Sequence, residues 1–130
     1  IMVVAAEDGL DELSCSAVTH VGELRDGEVF RYNVTPEDFG IKRRKDYVEL
    51  QVSSPEESLK LLKKALTYAH EGAGDIVALN AGAAIYVANL SSDLAAGVEK
   101  AKKILTSGLA MEKLIELVNF TQTAKIKNSQ

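Results

Sequence analysis

Hydrophobic and polar positions divide the chain into a strand-forming first part and a helical second part. Residues 1–6 are a continuous apolar run, β-branched at its start, that leads into an acidic segment containing a glycine. This pattern predicts a strand buried on both faces, as in a parallel sheet, with a loop at its C-terminal end. Ligands of open α/β sheets usually lie at such strand ends, which makes the acidic segment the first candidate for a site.

Two further runs predict a β-hairpin. Residues 19–24 and residues 28–34 have strand-like composition and flank the turn Arg25-Asp26-Gly27. An Asp-Gly pair favours a tight turn because both residues tolerate positive φ angles. Apolar and polar residues alternate in the second run, which predicts a half-exposed strand.

Residues 35–53 combine one helical turn with a hydrophilic, irregular segment. Residues 35–40, Thr-Pro-Glu-Asp-Phe-Gly, have a capping threonine, a proline suited to the first helical position and a terminal glycine. They therefore predict a single turn that ends at the glycine. Further on, alternating apolar residues predict a short strand that contains Val48, Leu50 and Val52.

Capping residues then predict two helices. Ser54-Pro55-Glu56-Glu57 has the serine, proline and glutamate of a full capping box, and apolar residues follow at helical spacing. His70 ends this helix, where an imidazolium would suit the helix dipole. Residues 71–74 are predicted to form a loop, and Asp75 is predicted to cap the next helix. Residues 76–88 predict a helix that is apolar almost all round and must therefore be buried centrally.

Two more helices complete the chain. One begins after Ser91-Ser92-Asp93 and is predicted to stop at Gly108. The other is predicted from Leu109 to Phe120, with its inward positions at Leu114, Leu117 and Val118. We expect residues 1–120 to belong to one domain and residues 121–130 to form a polar tail. The fold class is α/β, a few strands followed by about four helices, and this imbalance suggests that strands from elsewhere complete the sheet.

Composition narrows the class of protein. The 130 residues match one domain, and a hydrophobic content of 46% allows a core without disulfides. The net charge is −4, and the short basic run Lys42-Arg43-Arg44-Lys45 predicts a solvated loop with no nucleic-acid partner. A single cysteine excludes an intrachain disulfide and favours a reducing, cytoplasmic setting. No apolar stretch approaches the roughly 20 residues that span a membrane.

The acidic turn, residues 7–12 (Glu-Asp-Gly-Leu-Asp-Glu), is the main candidate for chemistry. It has four carboxylates within six residues, and its glycine permits a tight backbone turn. Asp11 and Glu12 are adjacent and can offer two hard oxygen ligands, while Mg²⁺ usually takes one or two protein carboxylates with water and phosphate oxygens. Spacing alone leaves two interpretations open, a Mg²⁺ site and a solvated acidic loop.

Other chemically active residue types give weaker patterns. Residues 80–84, Asn-Ala-Gly-Ala-Ala, predict close packing through small side chains. Cys15 has no activating neighbour and is predicted to be a structural thiol. His20 and His70 lack partners at ligand or catalytic spacing. There is no glycine-rich phosphate loop of a standard type, so the chain by itself predicts no nucleotide site.

Several motifs in order resemble the C-terminal section of the anthranilate phosphoribosyltransferase family. The most specific is residues 7–14, Glu-Asp-Gly-Leu-Asp-Glu-Leu-Ser, preceded by Val3-Val4 and followed by Thr19-His20-Val21, with further matches at residues 35–40 and 79–84. The similarity extends to about residue 118. It implies a mixed-sheet domain like those of phosphoribosyltransferases and nucleoside phosphorylases, joined in the family to a small helical domain.

The resemblance also implies a function. Members of the family transfer phosphoribosyl from phosphoribosyl pyrophosphate to anthranilate in tryptophan biosynthesis, and they are usually homodimers. It further implies that Asp11 and Glu12 bind Mg²⁺ together with the sugar-phosphate donor. The resemblance assigns no catalytic residue to this chain and leaves its substrate-binding residues unknown.

The departures from the family limit what this chain is expected to do alone. The family's glycine-rich pyrophosphate loop and its anthranilate contacts lie N-terminal to the region present here, and its His-Gly pair before the acidic turn is Ala5-Ala6. The chain also begins within a predicted strand. We therefore expect a part of a larger enzyme that needs its N-terminal portion for activity. Two alternatives stay open: a pyrimidine nucleoside phosphorylase-like enzyme, and a non-catalytic binding or assembly module.

Overall fold

The computed structural model describes the backbone of residues 1–127 and the side chains of residues 1–123. It has three β-strands followed by four α-helices, with two short 3₁₀ turns between them. The strands are β1 (Met2–Ala6), β2 (Thr19–Arg25) and β3 (Glu28–Val34), and the helices are α1 (Pro55–Leu66), α2 (Glu71–Val87), α3 (Leu94–Thr106) and α4 (Leu109–Lys127). The predicted fold class, a few strands followed by four helices, is confirmed.

The sheet is an antiparallel meander in the order β1-β2-β3. Val21 at its centre pairs with Val4 on one side and with Tyr32 on the other. The hairpin between β2 and β3 turns at Asp26 and Gly27, whose φ angles are 52° and 83°. Both central residues thus adopt the positive φ that the Asp-Gly pair predicted.

The prediction that β1 is buried on both faces in a parallel sheet is wrong for this structure. The strand pairs with β2 in antiparallel fashion, and exposure alternates along it. Met2 and Val4 pack against the core, whereas Ile1 and Val3 are 73% and 68% exposed. The described helices cover one face of the sheet, so the period-two alternation of a strand leaves every second side chain uncovered.

Local capping explains where the first helical segments begin. Pro36–Phe39 forms the predicted single turn, and Gly40 ends it with a φ of 65°. Ser54 accepts a hydrogen bond from the Glu57 amide at 3.1 Å and caps α1. The full capping box is wrong: the Glu57 carboxylate accepts from the Ser53 amide, at 2.9 Å, instead of the cap residue's own amide.

The predicted strand around residues 48–52 is also wrong. Val48–Leu50 is a 3₁₀ turn, in which the Val48 amide donates to the Asp46 carboxylate at 3.1 Å. The Leu50 amide donates to the Tyr47 carbonyl at 2.9 Å, so local bonds replace those of a sheet. Val48 and Val52 are 65% and 44% exposed, which shows that their alternation did not reflect a buried face.

Helix α2 begins earlier than the sequence predicts. Residues 71–74 are helical, and His70 caps the helix by accepting from the Ala73 amide at 3.2 Å. The prediction that His70 ends a helix is therefore wrong, because it lies at the N-terminus of α2. Asp75 lies inside α2, where it is 4% exposed and bonded to Arg44 and Tyr68, so it does not cap the helix.

The central contact among the helices is a close crossing of α2 over α3. A Cβ atom on Gly82 would lie 2.6 Å from the Val98 backbone, and one on Gly97 would lie 2.3 Å from the Gly82 carbonyl oxygen. The crossing buries Leu79 and Val98, which join the core cluster beneath the sheet. The prediction that residues 80–84 serve close packing is confirmed at Gly82. The prediction that this helix is buried centrally holds for Leu79 and Gly82 and is wrong for Ala84 and Val87, which are exposed.

Helix α3 begins at its predicted cap, where Asp93 accepts from the Ala96 amide at 2.7 Å. Gly108, with a φ of 86°, follows its end as predicted. Helix α4 continues past Phe120 to Lys127, and residues 128–130 of the predicted tail lie outside the described residues. Leu114 is half-buried, but Leu117 and Val118 are 57% and 43% exposed, so their inward assignment is wrong. Within residues 1–127, none of the helices combines the length and hydropathy that a bilayer crossing requires.

The helix crossing predicts that Gly82→Ala destabilises the protein. Alanine is the better helix former by about 0.5–1 kcal/mol, but its methyl group would force the α3 backbone away, which typically costs about 1–3 kcal/mol. We expect a lower free energy of unfolding, measured by denaturant titration. Gly22→Ala, where a Cβ would meet nothing within 4 Å, is the matched control and should leave the stability nearly unchanged. Equal stability of both variants would contradict the crossing.

Candidate metal site at the end of the first strand

The acidic turn follows β1 directly and folds back on it. The Ala6 amide donates to the Leu10 carbonyl at 2.9 Å, and the Gly9 amide donates to the Ala6 carbonyl at 3.1 Å. Gly9 has a φ of 91°, a conformation that residues with a side chain rarely adopt. These two bonds make the turn compact and set the direction in which its carboxylates leave the strand end.

The carboxylate of Asp8 links several groups of the loop through hydrogen bonds. It accepts hydrogen bonds from the Ser14 hydroxyl at 2.6 Å, from the Ser16 hydroxyl, and from the Leu10 amide at 3.3 Å. Burial acts to raise the pKa of Asp8, but these donors outweigh it and hold the pKa below its usual value. Because its oxygens are already occupied, Asp8 is poorly placed to become a metal ligand.

Glu7 points to the surface and pairs with the second strand. Its Oε1 atom lies 3.2 Å from Nε2 of His20, and both side chains are more than half exposed. The other ring nitrogen of His20 lies 2.8 Å from Oδ1 of Asn33 on β3. Glu7 and His20 thus join the loop to the sheet.

Asp11 and Glu12 are the carboxylates of the turn that stay unengaged. Among residues 1–123, whose side chains the structure describes, the polar contacts of the turn's carboxylates belong to Glu7 and Asp8. Asp11 is exposed and Glu12 is half-buried. Burial, and then the negative charge of Asp11, raise the pKa of Glu12. Two adjacent carboxylates that repel each other are an arrangement that a cation stabilises.

Immediately after Glu12 the chain enters the core. Leu13 is 1% exposed and Cys15 is fully buried. The Leu13 amide donates to Oδ1 of Asn80 on α2 at 2.8 Å, and Nδ2 of Asn80 donates back to the Leu13 carbonyl at 3.0 Å. One side-chain amide therefore satisfies both backbone groups of the residue that follows the acidic pair.

The segment between Arg44 and Tyr47 supports the loop from the other side. The Tyr47 hydroxyl accepts from the Cys15 amide at 2.8 Å and lies 2.8 Å from the Ser14 hydroxyl. The Arg44 amide donates to the Cys15 carbonyl at 2.8 Å. As a result, residues 13–15 have backbone bonds to two distant parts of the chain.

The basic run is only partly the solvated loop that the sequence predicts. Arg43 forms two hydrogen bonds with the Glu37 carboxylate, at 2.8 and 3.1 Å, on the surface. The Arg44 side chain is 17% exposed and donates to buried Asp75 at 3.1 Å. Gly72 leaves the space for this ion pair, because a Cβ there would lie 2.9 Å from the Arg44 guanidinium carbon. Arg44 also pairs with Glu49 and Glu71, but its buried partner, Asp75, lies 31 positions away, which is why the sequence did not predict its burial.

The structure separates the sequence-predicted site residues. Asp11 and Glu12 are neighbours in the turn that follows β1. Cys15 is buried in the core, and His70 lies at the start of α2. Within the described residues there is no group of three or more histidine, cysteine or acidic side chains able to hold a metal by themselves. The pair fits a Mg²⁺ ion that takes its other ligands from water and phosphate, and does not fit an all-protein cage.

Sequence reasoning missed Asn80 and Tyr47, the two side chains that hold the acidic loop. Asn80 did carry a signal, since it is a polar residue within a helix that is otherwise apolar. An amide in such a helix needs hydrogen-bond partners, and these could have been sought in a neighbouring loop. Tyr47 lies in an irregular segment and carried no comparable pattern.

The fold and the site together define an α/β domain with an acidic pair at a strand end. Comparison with known proteins makes this more specific: the chain belongs to the glycosyl transferase family, whose a/b domain matches residues 1–111. The predicted resemblance to anthranilate phosphoribosyltransferases is confirmed. The chain is 51% identical over 126 residues to the anthranilate phosphoribosyltransferase of Marinobacter nauticus, a match that covers 94% of the chain and 36% of that protein.

Other relatives give the same picture. The enzyme of that name from Pseudomonas paraeruginosa is 46% identical, over all of this chain and 38% of its own length. The crystal structure of anthranilate phosphoribosyltransferase from Thermus thermophilus matches with a TM-score of 0.81 and 35% identity, over 93% of the chain and 35% of that structure. The Saccharomyces cerevisiae enzyme in complex with PRPP and Mg has a TM-score of 0.79 but 20% identity, over 94% of the chain and 35% of its own, and shows the fold alone. The chain therefore spans somewhat more than a third of the relatives that it matches.

Burial of Cys15 predicts a pH dependence of stability. Burial, followed by the negative charge of Asp75, raises the pKa of the Cys15 thiol to about 12, in agreement with a structural thiol. The unfolded chain then loses this proton first, so the stabilisation is complete below the unfolded-state pKa of about 8.5. Above that pH it falls by about 1.4 kcal/mol per pH unit until the pH approaches 12. Denaturant unfolding between pH 8 and 10 should show this slope.

Cys15→Ala is the control for that prediction. The variant loses packing in the core and is less stable at neutral pH, but its stability should fall less steeply above pH 8.5. Tyrosine and lysine titrations are common to both proteins and cancel in the difference between the two curves. Parallel curves would contradict a buried, protonated thiol.

Proposed function

We propose that this chain supplies the Mg²⁺-binding carboxylates of an anthranilate phosphoribosyltransferase. The observation that carries the proposal is the pair Asp11 and Glu12 at the end of β1, unengaged by the described side chains while Glu7 and Asp8 are engaged. The whole enzyme transfers phosphoribosyl from phosphoribosyl pyrophosphate to anthranilate in tryptophan biosynthesis. This glycosyl transfer agrees with the family to which the chain belongs.

The named relatives support the substrates and the metal. Proteins that are 46–51% identical to this chain are called anthranilate phosphoribosyltransferase. Structures with the same fold come from a yeast enzyme of that name, one in complex with PRPP and Mg and another with 4-fluoroanthranilate. We extend those ligands to the protein that contains this chain.

The role of the two carboxylates follows from their charge and position. Asp11 is exposed and can bind a cation directly, and Glu12 is half-buried beside it. Bound Mg²⁺ would neutralise the pyrophosphate as it departs from the sugar. Because burial and Asp11 raise the pKa of Glu12, protons compete with the metal more strongly than at an ordinary glutamate. We therefore expect metal affinity to decrease with falling pH, first through Glu12.

The rest of the active site belongs to parts of the protein outside this chain. The chain spans 36–38% of the length of its relatives and has no glycine-rich phosphate loop. We propose that an N-terminal portion supplies the phosphate loop and the anthranilate contacts, and that this chain alone is inactive. We further propose a homo-oligomeric enzyme of the cytoplasm, with neither nucleic acid nor membrane as a partner.

The proposal predicts that Asp11→Asn combined with Glu12→Gln removes the metal site. In the native, full-length protein we expect kcat/KM to fall by roughly a hundredfold or more, because even groups outside the first ligand shell are worth about 10- to 100-fold. The Mg²⁺ concentration that gives half-maximal activity should rise. Initial rates of anthranilate consumption, measured across a Mg²⁺ titration, test both expectations.

Glu7→Gln is the matched control, because it removes a carboxylate from the same turn that is already paired with His20. Its Mg²⁺ dependence should resemble that of the unaltered protein. If the double variant keeps the normal Mg²⁺ dependence, the metal assignment is wrong. Turnover of thymidine or uridine with phosphate would instead support a nucleoside phosphorylase, and binding without any turnover would support a non-catalytic module.

A further inference from the structure

Among the described residues, Asn80 is the α2 residue whose side chain hydrogen-bonds to the backbone of Leu13, which directly follows the acidic turn. We propose that it is a positioning residue for the metal carboxylates, which holds the Glu12-Leu13 peptide and thereby sets the direction of Asp11 and Glu12. This inference rests on the proposed function of those two residues. Among the described residues, the Asn80 side chain forms no hydrogen bond with the carboxylate of Asp11 or Glu12. Its effect on these two carboxylates is therefore indirect.

The hydrogen bonds of Asn80 determine its orientation. Its Oδ1 atom accepts from the Leu13 amide at 2.8 Å, while Nδ2 donates to the carbonyls of Leu13 and Ile76, both at 3.0 Å. The opposite orientation of the side-chain amide would set Nδ2 against the Leu13 N–H and Oδ1 against two carbonyls. The arrangement therefore has one favourable form, and the helix carbonyl of Ile76 anchors it.

Peptide planarity carries this restraint to Glu12. The Leu13 N–H that Asn80 holds belongs to the same planar group as the Glu12 carbonyl and the Glu12 Cα atom. Fixing that plane fixes the Glu12 Cα atom and the axis of its Cα–C bond. On the other side of the pair the Ala6 amide holds the Leu10 carbonyl at 2.9 Å, so Asp11 and Glu12 lie between two anchored peptides, which limits the directions that both carboxylates can take.

The restraint by Asn80 acts against the charge repulsion between Asp11 and Glu12. Asp11 and Glu12 are adjacent in the chain, and two neighbouring carboxylates repel each other when both are ionised. A flexible loop would relieve this repulsion by separating them. Asn80 resists that separation because α2 is held against α3 at Gly82, two residues further along the helix. The metal would then meet ligands that are already oriented.

A purely structural role for Asn80 is the competing explanation. Substitutions at position 80 can distinguish the two explanations, because they change the packing and the hydrogen bonds separately. Asn80→Ala removes both the hydrogen bonds and the side-chain volume. Asn80→Leu removes the hydrogen bonds but keeps the number and branching of the side-chain heavy atoms, in a helix whose other residues are largely apolar. Leucine should therefore restore part of the packing without restoring the bonds to Leu13.

The test measures Mn²⁺ binding by electron paramagnetic resonance, in full-length protein with phosphoribosyl pyrophosphate. We expect both Asn80→Ala and Asn80→Leu to weaken Mn²⁺ binding about tenfold, the lower end of the range for residues that orient metal ligands. The Mg²⁺ concentration for half-maximal activity should rise equally, while KM for anthranilate stays the same. The melting temperature should fall more for alanine than for leucine.

Ser54→Ala is the matched control for stability, because it removes the cap of α1, which takes no part in the crossing of α2 over α3. A lost cap typically costs about 1 kcal/mol, so the melting temperature should fall while Mn²⁺ affinity stays normal. If Asn80→Leu binds Mn²⁺ normally, packing is sufficient and the positioning role is wrong. Normal Mn²⁺ affinity in both Asn80 variants contradicts it as well.

The double variant of Asp11 and Glu12 separates this inference from the proposed function. If that variant loses Mn²⁺ binding and the Asn80 variants do not, only the positioning role is wrong. If the double variant binds Mn²⁺ normally, the metal site itself is wrong and the positioning role fails with it. Should Asn80→Ala not fold, the leucine variant gives the same comparison.

Discussion

The close crossing of α2 over α3 is the contact on which the candidate site depends. Gly82 and Gly97 lie opposite each other there, and either would clash if it carried a Cβ atom. The crossing fixes the rotation and the height of α2 beneath the sheet. Those two quantities place Asn80, and Asn80 in turn holds the peptide after Glu12. A packing constraint between two helices thus determines the direction of two carboxylates at the end of a strand.

The four carboxylates of the acidic turn, residues 7–12, have different roles. Asp8 receives hydroxyl and amide donors and becomes part of the loop's framework, and its lowered pKa reflects those bonds. Glu12 receives no such donors among the described residues, and burial with the charge of Asp11 raises its pKa. Four acidic residues that look alike in the sequence therefore differ in chemistry because of the groups that surround them. This contrast favours a cation at Asp11 and Glu12 over a merely solvated acidic turn.

Local signals predicted the elements well wherever the controlling interactions were short in sequence. The Asp26-Gly27 turn, the Gly40 and Gly108 stops and the caps Ser54 and Asp93 all depend on bonds within a few residues. Some errors had local causes, such as the 3₁₀ turn in place of a strand at Val48–Leu50 and the Ser53 bond in place of the capping box. Others had distant causes. Asp75 is paired with Arg44, and the acidic loop is held by Tyr47 and Asn80, which the sequence could not bring together without the fold. The assignment of Asp11 and Glu12 as metal ligands came from the ordered motifs around them, since spacing alone left two interpretations, and it stays a prediction.

The most direct test of the account is the position of the metal. Crystals of the full-length protein with Mn²⁺ and phosphoribosyl pyrophosphate would give an anomalous difference map at the manganese edge. We expect a peak at coordination distance, about 2.0–2.5 Å, from a carboxylate oxygen of Asp11 or Glu12, with oxygens of phosphoribosyl pyrophosphate completing the coordination shell of the metal. Bound donor with a manganese peak remote from both carboxylates would contradict it.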